Sequence, residues 1–216
     1  MKTKNFGVLY IKYGEGKNNG YGVDYDELLN KSIKSIEKFG YQYHVHEENE
    51  EPSLLCKGKM YELSPFQNTL YLDCDTIVLR DLQLDEFYNQ PNALGFCVEE
   101  ASYLRRWYPS IPEYACEFNT GVIAFSATPQ NEKLFSVYKD LCLNCTPNFG
   151  NDQPFFSLAV HSENCNYRIL PNGYNYRRYR DEDSIFGPVY ILHTTKILDD
   201  EKLNRLSRMH YGFYNV

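Results

Sequence analysis

Apolar runs and segments of helical periodicity alternate along the first third of the chain. The predicted strands cover residues 6–13, 41–46 and 70–72, and the predicted helices cover residues 25–36 and 53–63. Asp24 and Glu27 form a capping box at the start of the first helix, and Gly40 supplies its stop. The β-α-β-α-β order predicts an α/β fold with a mainly parallel central sheet, right-handed crossovers and flanking helices.

The rest of the chain continues the same alternation. Further strands are predicted at residues 93–98, 118–125, 167–170 and 189–192, and further helical segments at 85–89, 128–142 and 151–161. Residues 99–116 show no clear period, and a long irregular segment inside a compact domain is usually functional. A chain of 216 residues fits one domain with a full-sized core, so we expect a single domain over residues 1–216.

Two aspartates follow the buried run at residues 70–72. Side chains that succeed one another in a strand point to opposite faces, so Asp73 and Asp75 are predicted to share one face while Cys74 takes the other. Two neighbouring carboxylates at the exit of a buried strand repel each other and are costly to desolvate. A cation between them would relieve both effects, at the end of the strand where open α/β sheets bind ligands. This stretch alone also allows a turn in which the aspartates cap loops.

Other polar clusters lie at predicted strand ends or helix starts. They comprise Asn119, the run Asn151-Asp152-Gln153, and His193 with Lys196. Taken singly, Asn119 could serve a turn, Asp152 could be a helix N-cap, and His193 could be a hydrogen-bonded core histidine. A parallel sheet would bring the strand exits to one edge, which predicts that these clusters form one site with the aspartates.

Composition narrows the classes of partner and compartment. A formal charge of −7 argues against a nucleic-acid partner, because proteins bind nucleic acids through basic surfaces. A phosphorylated small molecule could still bind if a metal ion or local Lys and Arg side chains supplied positive charge. The 20 tyrosines suit clefts for sugars or bases, although an aromatic core accounts for most of them. The sequence has seven cysteines, no secretory segment after Met1 and no run long enough to span a bilayer. We therefore expect reduced thiols, no transmembrane segment and a cytoplasmic location.

Four motifs occur in a characteristic order: Leu72-Asp-Cys-Asp-Thr-Ile-Val78, Phe118-Asn-Thr-Gly-Val122, Asn151-Asp-Gln153 and a late His193. In this order and spacing the sequence resembles nucleotide-sugar glycosyltransferases of the GT-A fold, with the glycogenin-like family 8 as the nearest set. The resemblance spans roughly residues 5 to 196. It departs after His193, where the family usually has a glycine and then Lys-Pro-Trp, because this chain continues Thr194-Thr-Lys-Ile-Leu.

The resemblance implies a role for each matching residue. Asp73 and Asp75 would bind a divalent ion that holds a diphosphate, and His193 would complete that site. Oxygen ligands with an imidazole suit Mn²⁺ better than Mg²⁺, which is the alternative. The resemblance assigns further residues to the donor substrate, namely Tyr10, Lys12, Tyr13, Lys59 and Asn119, and assigns Asp152 and Gln153 to catalysis at the sugar. Lys196 lies where the chain departs from the family, and we expect it to substitute there as the phosphate contact.

The expected activity is transfer of a sugar from a nucleoside-diphosphate sugar to a glycan, protein or small-molecule acceptor. UDP is the expected nucleotide. Retention of the anomeric configuration is implied by the resemblance alone. One alternative is a phosphatase of the haloacid dehalogenase type, because Asp73-Cys-Asp75-Thr-Ile resembles its nucleophile strand. That motif normally lies on the first strand, whereas two strand–helix units precede it here. A second alternative is a catalytically inactive nucleotide-sugar-binding domain.

Overall fold

The computed structural model describes residues 6–13, 23–48, 53–99, 115–144, 152–177, 188–195 and 200–208. The strands are β1 (Phe6–Tyr13), β2 (Tyr43–Glu48), β3 (Asn68–Leu72), β4 (Thr76–Val78), β5 (Leu94–Val98), β6 (Phe118–Ser126), β7 (Arg168–Ile169), β8 (Tyr176–Arg177) and β9 (Ile191–His193). The α-helices are α1 (Tyr25–Glu37), α2 (Met60–Leu63), α3 (Asp85–Tyr88), α4 (Pro129–Leu143), α5 (Gln153–Glu163) and α6 (Asp200–Arg208). Two 3-10 helices cover Ser53–Lys59 and Asn172–Asn175.

The central sheet has six strands in the order β2-β1-β3-β6-β5-β7. β1 pairs in parallel with β2 and β3, and β5 pairs in parallel with β7. β6 lies between β3 and β5 and is antiparallel to both. The predicted mainly parallel sheet is confirmed, with β6 as the strand that runs the other way.

A second, smaller sheet has the strand order β4-β9-β8. β4 and β9 pair in an antiparallel ladder, and β8 runs parallel to β9. The predicted late strand at 189–192 therefore forms at Ile191–His193 and lies outside the main sheet. This arrangement brings the end of the chain's late strand back to the segment that follows β3.

Helices cover both faces of the central sheet. Along β1, Val8 and Tyr10 pack on the same side as α1, while Leu9 and Ile11 pack on the side of α4 and α5. All four residues are at most 4% exposed. Strands that are buried on both faces read as continuous apolar runs, which is why β1 shows little alternation in its sequence.

The segment predicted as one helix over residues 53–63 is a 3-10 helix that continues into the short α2. Gly58 lies in the 3-10 helix, directly against α4. A Cβ on Gly58 would fall 2.9 Å from the Cα of Lys139 and 3.4 Å from the Cβ of Cys142. The glycine thus lets this segment approach α4 closely and fixes the position of its neighbour Lys57.

Two features of the structure relate to the expected absence of a transmembrane segment and to the expected reduced thiols. Across the described ranges, no helix has the length and apolar character required to cross a bilayer. Six of the seven cysteines lie in these ranges and all six are free thiols, while Cys145 lies outside them. The cytoplasmic location stays a prediction.

Candidate functional site

Asp73 and Asp75 lie in the turn that leads from β3 to β4. The carbonyl of Asp73 accepts hydrogen bonds from the backbone N–H of Thr76 at 3.2 Å and from its hydroxyl at 2.8 Å. The N–H of Asp73 donates to the carbonyl of Gly121 at 2.9 Å, which ties the turn to β6. Both carboxylates therefore project from a tight turn, whereas the alternation argument had placed them on a strand. Cys74 packs into the core.

The β4–β9 ladder delivers His193 to this turn. His193 stands opposite Thr76 in the ladder, and the N–H of Thr194 donates to the carbonyl of Asp75 at 2.8 Å. Nε2 of His193 lies 3.2 Å from Oδ1 of Asp75 and 3.8 Å from Oδ2 of Asp73. The side chains predicted to form a metal site therefore meet, although they come from distant parts of the sequence.

The geometry of these three side chains fits a divalent cation. Their candidate ligand atoms all lie within 4.8 Å of one another. Ligands that each lie about 2.1 Å from one ion are separated by at most about 4.2 Å, so small side-chain movements close the site. Burial alone would raise the pKa of Asp75, but His193 and Lys57 outweigh it and hold that pKa below its usual value. Asp75 is therefore anionic at neutral pH.

The two oxygens of Asp73 have different neighbours. Oδ1 accepts the hydroxyl of Tyr71 at 2.7 Å and lies 2.8 Å from Nζ of Lys57. Burial raises the pKa of Tyr71 well above its usual value, so its hydroxyl remains a donor. Oδ2 faces His193. The protein thus orients Asp73 through one oxygen and directs the other toward the candidate metal site.

Lys57 connects the candidate metal site to Asp152. Its side chain is 7% exposed, its Nζ lies 3.5 Å from Oδ1 of Asp152, and it sits 5.7 Å from the ring centroid of Tyr71. Sequence reasoning had favoured Lys59, which is 26% exposed and lies 4.0 Å from a carboxylate oxygen of Glu48. Two lysines separated by one glycine look alike in sequence, and tertiary packing distinguishes them.

Asp152 stands at the N-cap position of α5, but its side chain does not cap the helix. Its Oδ2 accepts the hydroxyl of Tyr138 at 2.6 Å, and the residue is 2% exposed. Burial keeps the pKa of Tyr138 well above its usual value, so the hydroxyl acts as a donor. The carboxylate is thereby aimed toward Lys57, and the simple capping role is not what the structure shows.

A group of amides and acids lies beside these charges. Asn119 is at the start of β6, and because β6 is antiparallel, that start reaches the carboxyl edge of the neighbouring β3. Nδ2 of Asn119 donates to Oε1 of Gln153 and to Oε2 of Glu99, at 2.7 Å each. Nε2 of Gln153 donates to Oε1 of Glu117 at 3.3 Å. Sequence reasoning identified the two amides but missed both glutamates.

Glu99 also forms an ion pair with Arg177. This pair connects the segment that shows no clear period, residues 99–116, with residues 172–180, and both segments are rich in Tyr and Arg. Residues 100–114, including Trp107, and residues 178–187 lie outside the described ranges. The contact shows that the described ends of both segments meet next to Asn119.

The remaining predicted donor contacts have other positions. Tyr10 is fully buried, and its hydroxyl shares a hydrogen bond with Ser32 on α1 at 2.8 Å. Its assignment to the nucleotide is therefore corrected, because it packs β1 against α1. Lys12, near the carboxyl end of β1, forms an ion pair with Asp26. Outside the described residues are the side chain of Tyr13 and the whole of Asn151 and Lys196.

Similarity to known proteins is found in three dimensions. No protein-family model and no curated protein matches the sequence. A galactosyltransferase, LgtC, in complex with donor and acceptor sugar analogues superposes with a TM-score of 0.58 and 13% identity, covering 93% of this chain and 94% of that one. Mouse xyloside xylosyltransferase 1 gives a TM-score of 0.56 and 14% identity, covering 89% of this chain and 99% of that one.

A third similar structure is the glycosyltransferase GlyE of Streptococcus pneumoniae TIGR4, with a TM-score of 0.56 and 15% identity. It covers 96% of this chain and 61% of that one. At such identities the similarity establishes the fold. The predicted GT-A fold is confirmed.

Proposed function

We propose that the chain is a metal-dependent glycosyltransferase that transfers a sugar from a nucleoside-diphosphate sugar to an acceptor. UDP is the nucleotide that we expect in the donor. The chain would act as a single domain over residues 1–216. The observation that carries the proposal is the meeting of Asp73, Asp75 and His193 at the edge of a GT-A sheet. The site's chemistry agrees with the similar structures, which are a galactosyltransferase bound to sugar analogues and a xylosyltransferase.

Asp73, Asp75 and His193 would hold the divalent ion, and Mn²⁺ suits their oxygen and imidazole ligands better than Mg²⁺. When bound, the ion would supply Lewis-acid stabilisation of the departing diphosphate. The local charges explain why a cation is needed. Lys57 offsets one of the three carboxylates of Asp73, Asp75 and Asp152, so an anionic diphosphate would otherwise meet a net negative site.

Lys57 would stabilise the negative charge that develops on the leaving phosphate. It is held rigidly beside Asp73 and is 7% exposed, so its charge acts in a poorly solvated environment. A fixed positive charge in such an environment stabilises a developing anion more than a mobile surface lysine does. Lys57 therefore takes the donor-contact role that the sequence suggested for Lys59.

Asp152 would act on the sugar side of the bond that breaks. As the bond between the anomeric carbon and the diphosphate oxygen lengthens, the sugar gains positive charge, and a nearby carboxylate stabilises it. Tyr138 and Lys57 hold this carboxylate in place. Gln153 would contact the sugar hydroxyls, and Asn119, whose two donors and two acceptor positions are already used within the protein, would hold Gln153 in place.

The test is incubation with a panel of nucleoside-diphosphate sugars and Mn²⁺, with release of nucleoside diphosphate as the measurement. Release from one donor, even by slow hydrolysis without an acceptor, would support the proposal, and the Asp75→Ala variant is the control. Release of inorganic phosphate from sugar phosphates without donor turnover would instead support the phosphatase alternative, which the GT-A fold disfavours. Donor binding without turnover, for any acceptor tried, would indicate a binding domain.

A further inference from the structure

A chain of directed hydrogen bonds connects the backbone of β6 to the imidazole of His193. The N–H of Gly121 donates to Oδ1 of Asn119 at 2.8 Å, and Nδ2 of Asn175 donates to the same oxygen. Oδ1 of Asn175 then lies 2.8 Å from Nδ1 of His193. Asn175 is 7% exposed and Asn119 is 2% exposed, so water competes little for these contacts.

The backbone N–H of Gly121 determines the direction of each hydrogen bond in this series. An N–H group can only donate, so Asn119 must present its oxygen to Gly121. That oxygen requires the NH₂ group of Asn175, which turns the oxygen of Asn175 toward His193. An amide oxygen can only accept, so Nδ1 of His193 must carry a proton.

We propose that Asn175 is a positioning residue that keeps a proton on Nδ1 of His193, so that Nε2 presents its lone pair to a metal ion beside Asp73 and Asp75. The inference rests on the metal site of the proposed function. An imidazole binds a metal through an unprotonated nitrogen, and the hydrogen bond at its other nitrogen decides which one is unprotonated.

Without Asn175 the ring would favour the opposite state. Nε2 lies 3.2 Å from a carboxylate oxygen of Asp75, so a neutral imidazole would place its proton on Nε2 and donate it there. That proton would have to leave before a metal could bind. In the native protein, turning Asn175 to donate to Nδ1 would set its oxygen against that of Asn119. The anchored amides therefore oppose the Nε2–H tautomer.

The first experiment measures the proton positions directly. Long-range ¹H–¹⁵N NMR of histidine-labelled, metal-free protein at alkaline pH, where an imidazole is neutral, reports whether Nδ1 or Nε2 carries the proton. We expect Nδ1–H for His193 in the native protein and Nε2–H in Asn175→Leu. A native protein with its proton on Nε2 would overturn the inference. Because no donor is involved, the result does not depend on whether the chain transfers sugars.

The second experiment compares two variants in calorimetric titrations with Mn²⁺. Asn175→Leu removes the acceptor and should lower metal affinity about 10- to 100-fold, the usual cost of losing a partner of a metal-binding histidine. Asn175→Asp keeps an oxygen facing Nδ1 but sets its second oxygen against that of Asn119, so its loss of affinity should be smaller than that of Asn175→Leu. Equal losses in both variants would show that packing, and not the acceptor, matters.

A matched control removes a buried amide elsewhere. Asn131 is fully buried, and its Nδ2 donates to the carbonyls of Ala93 and Ser126, at the other end of β6. Asn131→Leu should lower the melting temperature but leave Mn²⁺ affinity and the His193 tautomer unchanged. If Asn175→Leu also bound Mn²⁺ with native affinity, Asn175 would have no positioning role.

Discussion

The imidazole of His193 lies directly against the backbone of Gly121. A methyl group on Gly121 would fall 2.3 Å from Cε1 and 2.6 Å from Nδ1 of the ring. The carbonyl of Gly121 also accepts the N–H of Asp73 at 2.9 Å. This glycine therefore gives the ring room to reach the aspartates and anchors the turn that carries them.

Replacing Gly121 by alanine should displace the ring of His193 and weaken metal binding. Two non-bonded carbon atoms cannot approach to 2.3 Å, so the ring must move away from Gly121 and lose its position beside Asp75. We expect a loss of about 10- to 100-fold in Mn²⁺ affinity. Calorimetric titration measures this. Gly95→Ala is the control, since its Cβ would meet Phe87 at 2.8 Å and should affect stability without changing metal affinity.

Lys57 and Lys59 should differ sharply when each is changed to methionine. Lys57→Met removes the buried charge beside Asp73, and transfer should fall about 100-fold or more, as when one stabilising donor is lost from an active site. Lys59→Met removes a charge that lies near Glu48 and should have a much smaller effect. Initial rates of nucleoside diphosphate release compare the two variants, with melting temperatures to confirm folding. Similar losses in both would restore Lys59 to the site.

Asp152→Asn should separate catalysis from nucleotide binding. The substitution keeps the shape of the side chain but removes the charge near the sugar, so transfer should fall about 100-fold while UDP affinity changes little. Tyr138→Phe is a matched variant, because it removes the hydrogen bond to Asp152 and leaves the carboxylate charged. It should cost less activity than Asp152→Asn. A parallel loss of UDP affinity in Asp152→Asn would place this residue at the diphosphate.

The product should retain the anomeric configuration of the donor sugar. NMR of the transfer product gives the stereochemistry of the new glycosidic bond, which does not interconvert between anomers. An inverted product would contradict the inference drawn from resemblance to the glycogenin-like enzymes, while leaving the GT-A fold untouched.

Local sequence patterns were sufficient to predict most of the fold. The apolar run at Phe6–Tyr13 and the capped helix beginning after Asp24 reflect periodicity and capping, which neighbouring residues determine. The direction of β6 could not be read in this way, because a strand buried on both faces has the same pattern in either direction. That direction explains why Asn119 reaches the site from the start of a strand.

The sequence identified those residues of the candidate site that stand in recognisable motifs. It did not identify the residues that only tertiary packing brings to the site. Asp73, Asp75 and His193, which the resemblance grouped as metal ligands, meet in the structure. Lys57 and Glu99 carry no such signal, since a lysine or glutamate in sequence is usually exposed. Their side chains are only 7% and 8% exposed, and this burial results from tertiary contacts alone.

Removal of a divalent cation should weaken the binding of UDP sharply. Without a cation, the carboxylates of Asp73 and Asp75 would repel an anionic diphosphate, so UDP affinity should fall by about two decades, or roughly 3 kcal/mol. Asp75→Ala should imitate this loss. His193→Ala should do so partially, because water can replace one neutral ligand.

Calorimetric titration of UDP with Mn²⁺ or with a chelator, on the native protein and both variants, measures these losses. Asp140→Ala, which removes an exposed carboxylate from α4, controls for the change in overall charge and should bind UDP like the native protein. Asp73, Asp75 and His193 would hold the ion, and the ion would supply the positive charge that attracts the diphosphate. Equal UDP affinity in Mn²⁺ and in chelator would mean that the diphosphate binds elsewhere and that Asp73, Asp75 and His193 serve another purpose.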